Sequence, residues 1–124
     1  MMFEPLRLLP GDDLRAALAG RTAFVVAGIG SLAHAELRLA GAPGPTPIEG
    51  PLEILTLSGS LTPAGVHLHV SLSDAAGRVL GGHVCAGCTV LTTAELLIAP
   101  LPPGSLTREP DAATGYTELV ILNP

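Results

Sequence analysis

Lysine is absent from this chain; all six basic residues are arginine, and eleven carboxylates leave a net charge of −5. Affinity for nucleic acid comes largely from neutralising phosphates with basic side chains. A chain with so few of them, and no basic run, is poorly equipped to hold DNA alone. Tryptophan is absent too. The aromatics are only Phe3, Phe24 and Tyr116, so the core must be built from Val, Leu, Ile and Ala. No apolar run approaches the ~20 residues needed to cross a bilayer. The opening MMFEPLRLLPGDDL carries acids early and lacks the apolar stretch of a signal peptide. These absences make the cytoplasm the expected location and reduced thiols the expected state of Cys85 and Cys88. There is no GxSxG, no P-loop and no GxGxxG, so serine hydrolase, nucleotide hydrolase and dinucleotide-enzyme readings have no local support.

What is present fits one folded domain over residues 1–124. Apolar residues make up 48% and charged residues 14%, which argues against disorder. So low a charge content also suggests that partner subunits cover part of the surface.

Along the chain, strand patterns predominate. Residues 5–9 read as a short strand, and Pro10-Gly11 as a turn. Asp12 or Asp13 can cap a short amphipathic helix over 12–20, where Leu14, Ala17 and Leu18 recur at helical spacing. Residues 22–30 read as a buried strand, Gly30-Ser31 as a break, and 32–39 as a half-exposed strand. The segment 41–47 is a loop by its Gly and Pro content. Two strands, 52–61 and 66–73, flank the hairpin turn Thr62-Pro63-Ala64-Gly65. A turn at 74–77, a short strand over 78–81, the tight pair Gly81-Gly82, a long β-like stretch over 88–99, a Pro-rich break at 100–104 and a last strand over 115–122 complete the pattern. The sum is an α+β domain, a mainly antiparallel β-sheet with one or two flanking helices.

The segment 66–73 alternates almost perfectly. Val66, Leu68, Val70 and Leu72 share one face; His67, His69, Ser71 and Ser73 share the other. Two residues of strand separate His67 from His69 by about 7 Å on one face. His-x-His on a strand can aim two imidazoles at one metal ion. His83 follows Gly81-Gly82, whose backbone can pass close to a neighbouring segment, and it can supply a third ligand. Three histidines with an open fourth position match a catalytic-type zinc site better than a closed structural one. The alternative is a polar strand face carrying solvated histidines, which is also the reading for His34. Cys85-Ala86-Gly87-Cys88 forms a lone CxxC. No second pair exists to close a zinc site, and a redox pair belongs at a helix N-terminus; small buried residues are the better account. Arg38, Arg108, Glu95 and Glu118 are candidates to line a site, an Arg to bind an anionic substrate and a Glu to act as base. Taken singly, each also reads as surface charge.

Several segments resemble the plants-and-prokaryotes-conserved (PPC) domain. They are RLLPGDDL at 7–14, Gly30-Ser31-Leu32 with AELRLA at 35–40, LEILTLSGSL at 52–61, HLHVSLSDAAGRVLGGHV at 67–84, GCTVLTTAEL at 87–96 and DAATGYTEL at 111–119. The resemblance implies an antiparallel sheet with a flanking helix, a homotrimer, and the single-domain prokaryotic branch. In that branch His67, His69 and His83 are expected to hold a metal such as zinc. Plant-type domains follow AT-hook segments and act in transcriptional regulation; this sequence contains no such segment. Cys88 falls on a familiar position, whereas Cys85 looks particular to this chain. The fold also resembles that of acetolactate decarboxylase, a fold-level analogy that transfers no reaction. Three functions follow as expectations: a trimeric zinc protein acting on a small anionic molecule, with Arg38 or Glu118 near the metal; a DNA-associated regulator; or an oligomerisation module without a ligand.

Overall fold

The computed structural model describes residues 2–122. Eight strands and one short helix follow in the order β1 (Glu4–Leu8), α1 (Leu14–Leu18), β2 (Ala23–Arg38), β3 (Thr46–Thr62), β4 (Gly65–Ser73), β5 (Val79–Val84), β6 (Thr89–Pro100), β7 (Leu106–Pro110) and β8 (Thr117–Ile121). Six strands form one antiparallel sheet in the order β1-β6-β2-β3-β4-β5. That sheet also bends back on itself, because β5 pairs with the end of β2 through Leu37 opposite Val84 and Arg38 opposite His83. Strands β2, β3, β4 and β5 thus make a closed ring, and β7 and β8 form a separate two-stranded sheet.

The ring exists because the inward face is leucine-rich in every strand but β5, and the register shifts in β2 and β3 let those strands bend around it. Leu32 and Leu37 from β2, Leu52 and Leu57 from β3, Leu68 and Leu72 from β4, and Val84 from β5 are all fully or nearly fully buried. Leu14 and Leu18 bring the one helical turn onto the same core. Each such side chain contributes about 1.5–3 kcal/mol of burial. The helix starts where the sequence places it. Asp13 is its N-cap, with Oδ1 accepting from Ala16 N at 2.9 Å and Oδ2 from Gly87 N at 2.7 Å. One carboxylate therefore begins the helix and pins the loop before β6.

The mainly antiparallel α+β fold stands, with corrections in detail. The two strands expected on either side of Gly30-Ser31 are one, β2. The chain runs through Gly30 at φ +146°, and a Cβ there would lie 2.7 Å from the Cα of Ala94 on β6. The glycine serves close packing and positive φ, not a break. Strand β3 begins at Thr46, inside the expected loop, and includes Pro47 and Pro51. Before Glu53 it pairs only with β2, since β4 joins at Glu53. That stretch is a sheet edge, where proline removes no needed ladder bond. Gly81-Gly82 is extended strand rather than a tight turn. Strand β7 had no counterpart in the sequence reading; its Thr-Arg-Glu-Pro carries no apolar alternation, and pairing with β8 makes it a strand.

Candidate metal centre

The outward face of β4 carries the histidines. Opposite them on β3 stand Ser60, facing His67, and Ser58, facing His69; on β5, His83 faces His69. The closeness of β3 to β4 here depends on Gly59, where a Cβ would overlap the carbonyl oxygen of His67 and lie 2.8 Å from the Cα of Leu68. The three imidazoles form a compact group. Ring centroids are 5.1 Å apart for His67–His69, 4.6 Å for His69–His83 and 5.6 Å for His67–His83. One ring nitrogen from each lies within 4.8 Å of the others. Tetrahedral zinc with Zn–N bonds of about 2.0–2.1 Å needs nitrogens about 3.3 Å apart. Side-chain shifts of about an ångström supply that difference.

The donors suit a metal in their proton chemistry. His83 Nδ1 donates to the Arg38 carbonyl oxygen at 3.3 Å. A carbonyl only accepts, so Nδ1 carries the proton and Nε2 keeps its lone pair, the usual way a ligating histidine is oriented. His67 is held below the ordinary histidine pKa, first by burial and then by the positive charge of Arg108, with His69 and His83 adding to it and Glu118 opposing. A depressed pKa keeps this imidazole neutral, as ligation requires.

Of the four charged candidates, Arg108 makes direct contact. From β7 its Nη2 donates to Ser60 Oγ at 2.9 Å and to His67 Nδ1 at 3.3 Å. Arg38 takes part through its backbone carbonyl. Glu118, on β8, acts on His67 through its charge. Glu95 stands elsewhere, opposite Arg7 and Ile29, lining an open apolar groove. His34 is also apart, held between Glu36, at Nε2, and Glu49, whose Oε1 is 2.8 Å from Nδ1. Its pKa is raised, chiefly by the Glu36 hydrogen bond. Both cysteines are free thiols. Cys88 is buried, its Sγ within 3.4 Å of Glu36 N, and burial pushes its pKa up.

The sequence reading missed the serines. Ser60 is buried beneath Arg108, and Ser58 borders a cleft of about 340 Å³ shared with His69, His83, Thr56, Ser71 and Gly81. The hairpin turn at 62–65 held the signal, because it fixes the register that sets these hydroxyls opposite the imidazoles.

A family model described as the Plants and Prokaryotes Conserved (PCC) domain matches residues 5–102. A bifunctional protein GlmU from Synechococcus is 48% identical over 128 residues, covering 98% of this chain. The chain spans about 20% of the length of the curated relatives it matches. A solved structure from Salmonella cholerae-suis superposes with a TM-score of 0.87 at 41% identity, covering 96% of this chain and 91% of that one. A metal-containing protein from Archaeoglobus fulgidus gives a TM-score of 0.74 at 27% identity, covering 95% of this chain and 92% of that one.

Proposed function

This chain belongs to the Plants and Prokaryotes Conserved (PCC) domain family, and we propose that it is a homotrimeric metal-binding protein, with zinc on His67, His69 and His83, acting on a small anionic molecule in the cytoplasm. The observation that carries this reading is the convergence of three ring nitrogens within 4.8 Å. The metal-containing relative from Archaeoglobus fulgidus lends support. A bound zinc ion supplies Lewis acidity to a substrate oxygen. The residues around it have their own tasks. The Arg38 carbonyl orients His83. Arg108 supplies positive charge beside His67, and Glu118 supplies a carboxylate within electrostatic reach of the same ring.

Self-association is supported by an apolar surface on β2, β3 and β6. Val26 is 48% exposed, Ile29 57%, Leu55 47% and Leu91 43%. Large apolar side chains gathered on neighbouring strands mark a contact surface. The net charge of −5 offers no electrostatic support for duplex DNA. No helix among the described residues is long and apolar enough to cross a membrane.

The test is metal analysis after zinc loading and dialysis. Wild-type protein should retain one zinc per chain, and a His67→Ala/His69→Ala variant none. Equal metal content in the two would overturn the ligand assignment. Sedimentation should give three chains per particle; a monomer would overturn the trimer.

A further inference from the structure

The hydrogen bond from Arg108 to His67 carries a consequence for any metal at this site. Arginine has donors and no acceptor, so His67 Nδ1 must offer a lone pair to receive it. A neutral imidazole has one lone pair and one N–H. If His67 ligates through Nε2, its proton sits on Nδ1, which can no longer accept. If it ligates through Nδ1, the lone pair is already used. Metal ligation by His67 and the Arg108–His67 hydrogen bond therefore exclude each other.

Arg108 does not lose its place when that bond is given up. The same Nη2 donates to Ser60, which is buried, at 2.9 Å. The guanidinium stays tethered beside the imidazoles with a free N–H. A cation with an unpaired donor at this position calls for an acceptor, and a carboxylate fits a single guanidinium fork in two parallel bonds. Beyond His67 the surface continues as a polar track. Ser58 stands opposite His69, and Thr56 Oγ1 and Ser71 Oγ lie 2.6 Å apart on the next rung. These hydroxyls border the cleft of about 340 Å³ on the His69–His83 side. That volume lies at the small end of the range for small-molecule sites.

We propose that Arg108 is the anion-binding residue of this centre. Zinc at the histidines releases it from His67, and it then takes the carboxylate of a small polar acid whose uncharged remainder lies toward Ser58, the next serine on this face of β3. The inference rests on the metal reading above and deepens it by naming the ligand class and the group that selects it. It also makes metal and anion binding cooperative, since the metal frees the anion's partner. By linkage each then raises the affinity of the other by the same factor.

Calorimetric titration separates the two ideas. Zinc titrated first tests the metal reading: no uptake ends both. Glycolate, acetate and inorganic phosphate are then titrated separately into zinc-loaded and zinc-free protein. Glycolate should bind the zinc-loaded form more tightly by about 5- to 150-fold, the usual span of coupling between two sites. Arg108→Ala should still take up zinc and should lose that gain, with Arg108→Lys in between; circular dichroism checks that both variants are folded. Equal glycolate affinity with and without zinc would overturn the coupling. Unchanged glycolate binding in zinc-loaded Arg108→Ala would overturn the role of Arg108. Phosphate binding in the absence of glycolate and acetate binding would overturn the carboxylate assignment.

Discussion

His69 and His83 face each other across the β4–β5 ladder, their rings edge to face with centroids 4.6 Å apart. Their partnership is set by backbone pairing, so the strands fix it before any ion arrives. Zinc then has little chain to organise, and its binding energy should appear as added stability of the folded state. At a free zinc concentration about 100 times the dissociation constant, the gain is about 2.7 kcal/mol. Thermal melts with zinc and with chelator measure it. Identical melts at saturating zinc would contradict binding to the native fold.

Gly59 is the position where the site depends most on backbone packing. A methyl group there would strike the His67 carbonyl. Gly59→Ala should cost about 1–3 kcal/mol, as overpacking does, and should lower zinc occupancy, because the displaced carbonyl belongs to His67, a proposed ligand. Urea unfolding and metal analysis on the same preparation check both. A loss of stability with full zinc occupancy would show that the ladder moves without disturbing His67.

How far the sequence disclosed this site follows from the physics of strands. The alternation over 66–73 fixes which face each side chain takes, so His67 and His69 were legible as a pair and Leu68 and Leu72 as core. The approach of His83 was legible through the glycines before it. Arg108 could be named as a candidate but not placed, because β7 has no alternation of its own and takes its position from pairing with β8. Ser60 was hidden for a different reason. A serine in a leucine-rich strand carries no sign of what lies opposite it until the hairpin register is drawn. The continuity of β2 through Gly30 and of β3 through Pro47 and Pro51 depended on neighbours distant in sequence.

The second charged cluster predicts a pH dependence of its own. His34 is clasped by Glu36 and Glu49, and its pKa is raised above the ordinary value of 6.5. A raised folded-state pKa means that the folded protein holds this proton more tightly than the unfolded chain. The resulting stability is fully present below about pH 6.5 and is lost as pH rises through the raised value. His34→Gln should therefore be less stable than wild type in mild acid, with the difference shrinking at alkaline pH. Urea midpoints across that range decide it; a difference that grows with pH would refute the sign.

The two thiols should behave differently. Cys88 is buried and its pKa is raised by burial, while Cys85 is partly exposed. Thiolate is the reactive form, so iodoacetamide should label native protein at Cys85, with Cys88 reacting only after unfolding. Peptide mass spectrometry locates the label. Rapid alkylation of Cys88 in native protein would mean that the loop between β5 and β6 opens readily.

The hairpin of β7 and β8 forms its own small sheet and lies past residue 102, where the family match stops. The imidazoles belong to the large sheet, and the guanidinium beside them arrives on this ribbon. In the proposed centre, the group that binds the anion and the groups that hold the metal thus come from different pieces of chain. The two are coupled all the same: a chimera carrying another hairpin should change zinc affinity as well as acid preference, because Arg108 bonds the imidazole of His67.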